Sequence, residues 1–293
     1  MRVFVTGGTG FVGTVLVRQL IGEGHRVLGL ARSEAAAQAL LAAGAEVHRG
    51  GLEDMDVLRR GALEADAVIH AAFELDLTNW ARGGGIDVRA IEALGSAIAG
   101  SERLMVVTSG AFAIGAAGVA SESDGPLQTL PRATETAAAA ASARGARVAI
   151  LRLGVVHGDG DRHFLPALIG LARAKVLSAY VGDGEQRWPM VHVADAADAY
   201  LRTLEHGVAG ARYHAVAEEG VAVREIAEII ATRLGVPLAS LSPEEATTHF
   251  GPLALFVGTS RPTASARTRE ELRWNPRHRS LREDFHDGTY FRP

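Results

Sequence analysis

Thr6-Gly7-Gly8-Thr9-Gly10-Phe11-Val12-Gly13 follows the apolar run Val3-Phe4-Val5 and leads into the helical spacing of Val15, Leu16 and Leu20. A strand, a glycine turn and a helix start, in that order, predict a cradle for a dinucleotide pyrophosphate. Gly7 permits the tight turn, Gly10 lets backbone N–H groups approach phosphate with no Cβ in the way, and Gly13 lets helix and strand pack closely. The positive end of the helix then faces the anion. Thr9, Phe11 and Val12 complete the expected contact loop.

Working outward, Arg26-Val27-Leu28-Gly29-Leu30 reads as a second buried parallel strand. The residues after it select the cofactor. An acidic side chain there would bond the ribose hydroxyl of NAD, whereas Arg32 and Ser33 offer a cation and a hydroxyl to a 2′-phosphate, so NADP is expected in preference to NAD. A helix over 34–43, a strand over 46–48 and a helix capped by Asp54 continue the alternation. A strand over 67–73 ends in Ala71-Ala72, small enough for a cofactor to lie against the backbone. Phe73 and Trp80 then fall near the carboxyl edge of the sheet, where such folds bind ligands. After a helix over 86–99, the strand 104–110 ends in the hydroxyls of Thr108 and Ser109, placed to polarise a substrate carbonyl. A loop over 116–131, an Ala-rich helix over 132–144 and a strand over 147–156 ending in His157-Gly158-Asp159-Gly160 close a first domain near residue 160.

Later segments are less regular: helices over 165–174, 194–204, 222–234 and 244–250, and strands over 178–181 and 213–216. The expected architecture is α/β, a Rossmann doubly wound parallel sheet over 1–160 with a smaller α/β substrate lobe over 161–293, with segments free to cross between them. The His/Arg-rich tail reads as solvated surface. A length of 293 residues accommodates both lobes, and a net charge of −4 with interspersed signs argues against nucleic acid. With no cysteine, disulfides, thiolate chemistry and Cys-based zinc sites are excluded, and the eleven scattered histidines suggest no metal. No apolar run reaches membrane-spanning length and the first strand begins at Arg2, so a cytoplasmic protein without a membrane partner is expected.

Residues 6–13, Ala71-Ala72, Thr108-Ser109 and 152–160, with the run from Val181-Gly182-Asp183-Gly184 to Val191-His192-Val193-Ala194-Asp195 and the closing Leu272-Arg273-Trp274-Asn275-Pro276, resemble the extended short-chain dehydrogenase/reductase family over nearly the whole chain. The resemblance implies nicotinamide chemistry and a homodimer formed through the helices over 86–99 and 132–144. It also implies a Tyr-x-x-x-Lys pair, in which the lysine lowers the tyrosine pKa for proton exchange with the substrate oxygen. The chain cannot form that pair: its first tyrosine is Tyr180, and Lys175 is its only lysine. The corresponding helix resembles an atypical subgroup with His-x-x-x-Arg in those places, except that Gln128 replaces the histidine. Arg132 keeps the cation, able to hold the nicotinamide ribose.

Three residues are therefore expected to carry the chemistry: Ser109 to bind the substrate oxygen, Arg132 to hold the ribose, and His157, where the family often has a second tyrosine, to exchange a proton. Leu52, Leu153 and Val155 complete the expected cofactor contacts. Phe73 and Phe112, with the Arg187-Trp188 pair and His192, are the expected substrate contacts. Three functions stay open: an NADP-dependent oxidoreductase acting on a small carbonyl or hydroxyl compound, an epimerase or dehydratase that keeps its nicotinamide, and a non-catalytic NADP-binding sensor.

Overall fold

Strands that are apolar along their whole length become the centre of a parallel sheet, covered on both faces by helices. The computed structural model describes residues 1–74, 80–127 and 133–291, apart from the Trp80 side chain. In it β1 (Arg2–Thr6), α1 (Phe11–Gly22), β2 (Arg26–Ala31), α2 (Glu34–Ala42), β3 (Glu46–Arg49), α3 (Met55–Leu63), β4 (Ala67–His70), α4 (Trp80–Ile98), β5 (Leu104–Gly110), α5 (Thr134–Ala143) and β6 (Arg147–Leu153) alternate as expected. Val3, Phe4, Val5, Val68, Ile69, Val106 and Val107 are wholly buried. Asp54 caps α3 by accepting from the Val57 N–H at 3.2 Å.

Beyond β6 follow β7 (Val155–His157), α6 (Phe164–Lys175), β8 (Ser178–Val181), β9 (Arg187–His192), α7 (Val193–His206), β10 (Arg212–Ala215), β11 (Glu218–Ala222), α8 (Val223–Leu234), β12 (Leu238–Leu241), α9 (Pro243–Phe250), α10 (Ala254–Val257), α11 (Ala266–Glu271) and α12 (Leu281–Asp287). The strand expected over 147–156 breaks at Gly154, where a Cβ would meet the Pro189 carbonyl oxygen at 2.8 Å. β6 stays in the large sheet, while β7 pairs with β9 in a second one.

Seven parallel strands run in the order β10-β6-β5-β4-β1-β2-β3. The order reverses between β1 and β4, the switch point where sheets of this kind bind ligands beyond the carboxyl ends of their strands. Two small sheets, β11-β9-β7 and β12-β8, build the second lobe. A cut at residue 160 does not separate the lobes, because β10 returns to pair with β6 and α7 contributes Tyr200 and Leu201 to the same core as β1.

The tail is solvated on one side only. Its His and Arg side chains at 277–279, 282 and 286 are exposed, as expected, but the segment is pinned by Asp195, whose carboxylate accepts from the Arg277 and His278 backbone N–H groups at 3.1 and 3.0 Å and sits 2.7 Å from the His278 ring Nδ1. Trp274, Leu281 and Phe285 are buried. Among the described residues no helix is long and apolar enough to cross a membrane.

Candidate active-site cleft

At the switch point the chain has no room for side chains. Gly7 has φ +76°, and a Cβ there would meet the Ala72 backbone nitrogen at 2.7 Å, so the ends of β1 and β4 touch. A Cβ on Gly13 would lie 1.9 Å from the Gly7 carbonyl oxygen. The turn closes through Gly10 N–H donating to the Gly7 carbonyl at 3.0 Å. Gly10 caps α1 with no side chain, so the N–H groups of the first helical turn stay open to an anion. These observations fit a dinucleotide pyrophosphate.

A cleft of about 1950 Å³ opens over this turn. It gathers Gly7, Thr9, Gly10, Phe11, Val12, Gly13, Arg32, Ser33, Leu52, Ala71, Ala72, Thr108, Leu153 and Val155, along with Phe73, Phe112 and Ser109. Ser33 also caps α2, accepting from the Ala36 N–H at 3.2 Å. Thr108 donates to the His70 carbonyl at 2.7 Å, so the Tyr200 hydroxyl 2.6 Å away donates to Thr108. Ser109 bonds the buried Glu135 carboxylate. Burial pushes the Glu135 carboxyl up, but Arg152 at 2.7 and 2.8 Å, aided by Ser109 and Arg212, holds it below its ordinary value. The hydroxyl donates to the carboxylate, because a deprotonated carboxyl only accepts.

Four expected site residues stand elsewhere. His157 is buried beneath α12, with Nδ1 2.6 Å from Asp284, and does not line the cleft. His192 caps α7, its Nδ1 accepting from the Ala194 N–H at 3.2 Å, and stacks on His278 at 5.2 Å. Burial pushes the His192 ring down, against the opposing pull of Asp284. Arg187 is exposed and paired with Glu185 at 2.7 Å. Trp188 is buried and serves the cleft from behind, packing edge-on against Phe112 at 5.7 Å and donating to the Phe256 carbonyl at 3.1 Å. Successive strand side chains point to opposite faces, so neighbours in sequence such as Arg187 and Trp188 do not converge on one site. Gln128 and Arg132 lie outside the described residues.

Two features of the wall escaped the sequence reading. Phe164 and Phe256, ring centroids 4.7 Å apart, join Phe112 in an aromatic wall, and Arg261 stands beside it. His163 lines the cleft 6.2 Å from the Phe11 ring, beside the glycine turn. None of these stands in a local motif; the start of α6, α10 and the segment after α10 bring them together. No tyrosine or lysine is found among the described lining residues. Lys175 instead donates to the Thr248 and His249 carbonyls. No group of three or more metal-ligating side chains occurs among the described residues.

The model of the NAD-dependent epimerase/dehydratase family matches residues 3–125 and 131–217. The chain belongs to that family. Within the epimerase/dehydratase family it is similar to an uncharacterized protein of Schizosaccharomyces pombe, 44% identical over 99% of this chain and 100% of the relative. It is also similar to the 4-hydroxy-2-methyl-3-oxo-4-farnesyl-3,4-dihydroquinoline-1-oxide ketoreductase of Stigmatella aurantiaca, 30% identical over 80% of this chain and 74% of the relative. Its fold superimposes on the dTDP-glucose 4,6-dehydratase of Streptomyces venezuelae, solved with NAD, at a TM-score of 0.78 over 100% of this chain and 97% of the other, with 21% identity. Members of the epimerase/dehydratase family bind NAD(P) and act on small molecules, and they include reductases as well as epimerases.

Proposed function

We propose that the protein is an NADP-dependent oxidoreductase that reduces an apolar carbonyl compound. One observation carries the reading: the cleft that opens over a glycine turn flanked by Arg32 is also lined by Ser109 and by the aromatic wall of Phe112, Phe164 and Phe256, with no tyrosine or lysine among its described lining residues. The similarity to a ketoreductase supports a carbonyl substrate.

The cofactor, when bound, supplies the hydride. Residues 7–13 hold its pyrophosphate, and Arg32 and Ser33 the 2′-phosphate. Ala71, Ala72, Leu52, Leu153 and Val155 line its bed. Arg132 takes the place of the family's lysine on the nicotinamide ribose. Ser109 holds the substrate oxygen: its proton rests on Glu135 when a hydroxyl compound donates to it, and turns to the oxygen when a carbonyl is bound. Water at Ser109 supplies the proton that a phenol supplies elsewhere in the resembled family. His157 has no part in this scheme.

The test is steady-state NADPH consumption with a panel of aldehydes, ketones and quinones. Turnover supports the reading. Tight NADPH binding with no turnover across the panel overturns it in favour of a non-catalytic sensor. Arg32→Asp is expected to weaken NADPH about 10- to 100-fold and reverse the preference over NADH, since a charge-assisted phosphate contact contributes about 1.5–3 kcal/mol. An unchanged preference would show that the phosphate sits elsewhere. A homodimer through α4 and α5 is part of the same reading. The small exposed residues Thr136, Ala139 and Ala143 on α5 permit close approach, and a monomer mass in sedimentation would overturn it.

A further inference from the structure

Three arginines line the cleft among the described residues: Arg32, Arg59 and Arg261. Arg59 is paired with Asp56 at 2.9 Å. Arg32 and Arg261 have no carboxylate partner among the described residues, and they lie on opposite sides of the glycine turn. Arg32 follows β2, on one side of β1 in the sheet, and Arg261 is tied to the loop after β5, on the other.

Arg261 is held from behind. Its backbone N–H donates to the Arg187 carbonyl at 2.7 Å, and its Nη1 donates to the Ala116 carbonyl at 2.8 Å. The other edge of the guanidinium is unsatisfied. Nε is shut off from water with no acceptor, and Nη2 has no protein acceptor among the described residues. A buried donor without an acceptor is costly, and a planar oxyanion is the partner that a guanidinium edge fits best. The surroundings are apolar: Phe112, Phe164 and Phe256 form the wall, and Leu255 on α10 stands 66% exposed at the cleft lip. A sugar ring would need polar partners on most of its hydroxyls, whereas this wall offers aromatic faces, one cation and the hydroxyls of Ser109 and Thr259.

We infer that Arg261 is the anchor for a carboxylate on the substrate, so that the compound taken at this site is an apolar or aromatic keto acid. The inference rests on the carbonyl-reductase reading above. The carboxylate takes Nη2, the guanidinium nitrogen left open to the cleft. The aromatic wall covers the apolar body, and Leu255 covers its distal end.

The test is calorimetric binding to the protein saturated with NADP⁺, using phenylpyruvate and benzoylacetate against their methyl esters. The wild type is expected to bind each acid about 10-fold or more tighter than its ester, the scale of one charge-assisted contact. Arg261→Gln is expected to bring acid and ester within about 2-fold of each other by weakening the acid alone, with NADPH affinity unchanged. Equal affinities for acid and ester in the wild type, no binding of either, or a preference that survives Arg261→Gln would each overturn the assignment. If Arg261→Gln does not fold, the wild-type ratio decides. Acids that bind in preference but do not consume NADPH would instead sink the reductase reading and leave the anchor standing.

Discussion

A Cβ on Gly13 meets backbone that cannot yield, 1.9 Å from the Gly7 carbonyl oxygen and 2.8 Å from its carbonyl carbon. Gly13→Ala is therefore expected to cost about 1–3 kcal/mol of stability and to lower NADPH affinity by more than the same change at Gly22, where a Cβ meets nothing within 4 Å. Denaturant unfolding and calorimetric titration of the two variants check this, and equal effects would refute it. Ser109→Ala is expected to lower kcat about 100-fold or more while leaving the NADPH Kd within about 2-fold, because the contact proposed for the hydroxyl is with the substrate oxygen and not the nucleotide. A loss confined to NADPH binding would move Ser109 out of the chemistry. The glycines were legible because steric demand is written in the residue itself. Arg261 was not, since an isolated arginine carries no mark of which backbone carbonyls will hold it.

Buried polar joints connect the elements, and one of them sets an acid response. Between β6 and β10, Arg152 lies 3.2 Å from His214 Nε2. A guanidinium only donates, so Nε2 must accept, and the proton on Nδ1 goes to the Ala264 carbonyl at 2.7 Å. His214 is thus held neutral. Burial pushes its pKa down, with the Ala264 carbonyl pulling the other way and Arg152 adding to the fall. Below its unfolded value near 6.5 the unfolded chain binds a proton that the folded chain refuses, so stability present above that pH is lost as pH falls. His192, also pushed down, adds to the same trend. Thermal melting is expected to drop between pH 7.5 and 5.5, and His214→Gln to flatten that drop; a flat wild-type profile would refute the assignment. At this scale the apolar strands 2–5 and 104–107 were readable from composition alone. β11 and β12 were not. Glu218–Ala222 and Leu238–Leu241 are half-exposed edge strands, with no continuous apolar run to mark them. The burial of Asp284 was equally hidden, because a carboxylate in a His/Arg-rich tail reads as solvated until His157 is seen opposite it.

The whole molecule is threaded twice. The chain leaves the large sheet after β6, builds β7, α6, β8 and β9, and comes back with α7 and β10 before finishing the second lobe. Residues 1–160 alone would leave the β6 edge unpaired and the faces of Val17 and Leu20 without Tyr200 and Leu201. A fragment ending at 160 is expected to aggregate, whereas one extended to residue 217 is expected to stay dispersed more readily; light scattering of the two compares them, and a monodisperse shorter fragment would restore a clean boundary at 160. β10 also has a consequence for biosynthesis. As the chain leaves the ribosome, β6 emerges with no neighbour on its outer edge, and that neighbour is translated only after β7, α6, β8, β9 and α7. The nucleotide sheet is begun first and sealed late, so the nascent protein carries an open strand edge through much of its elongation, when chaperone protection matters most.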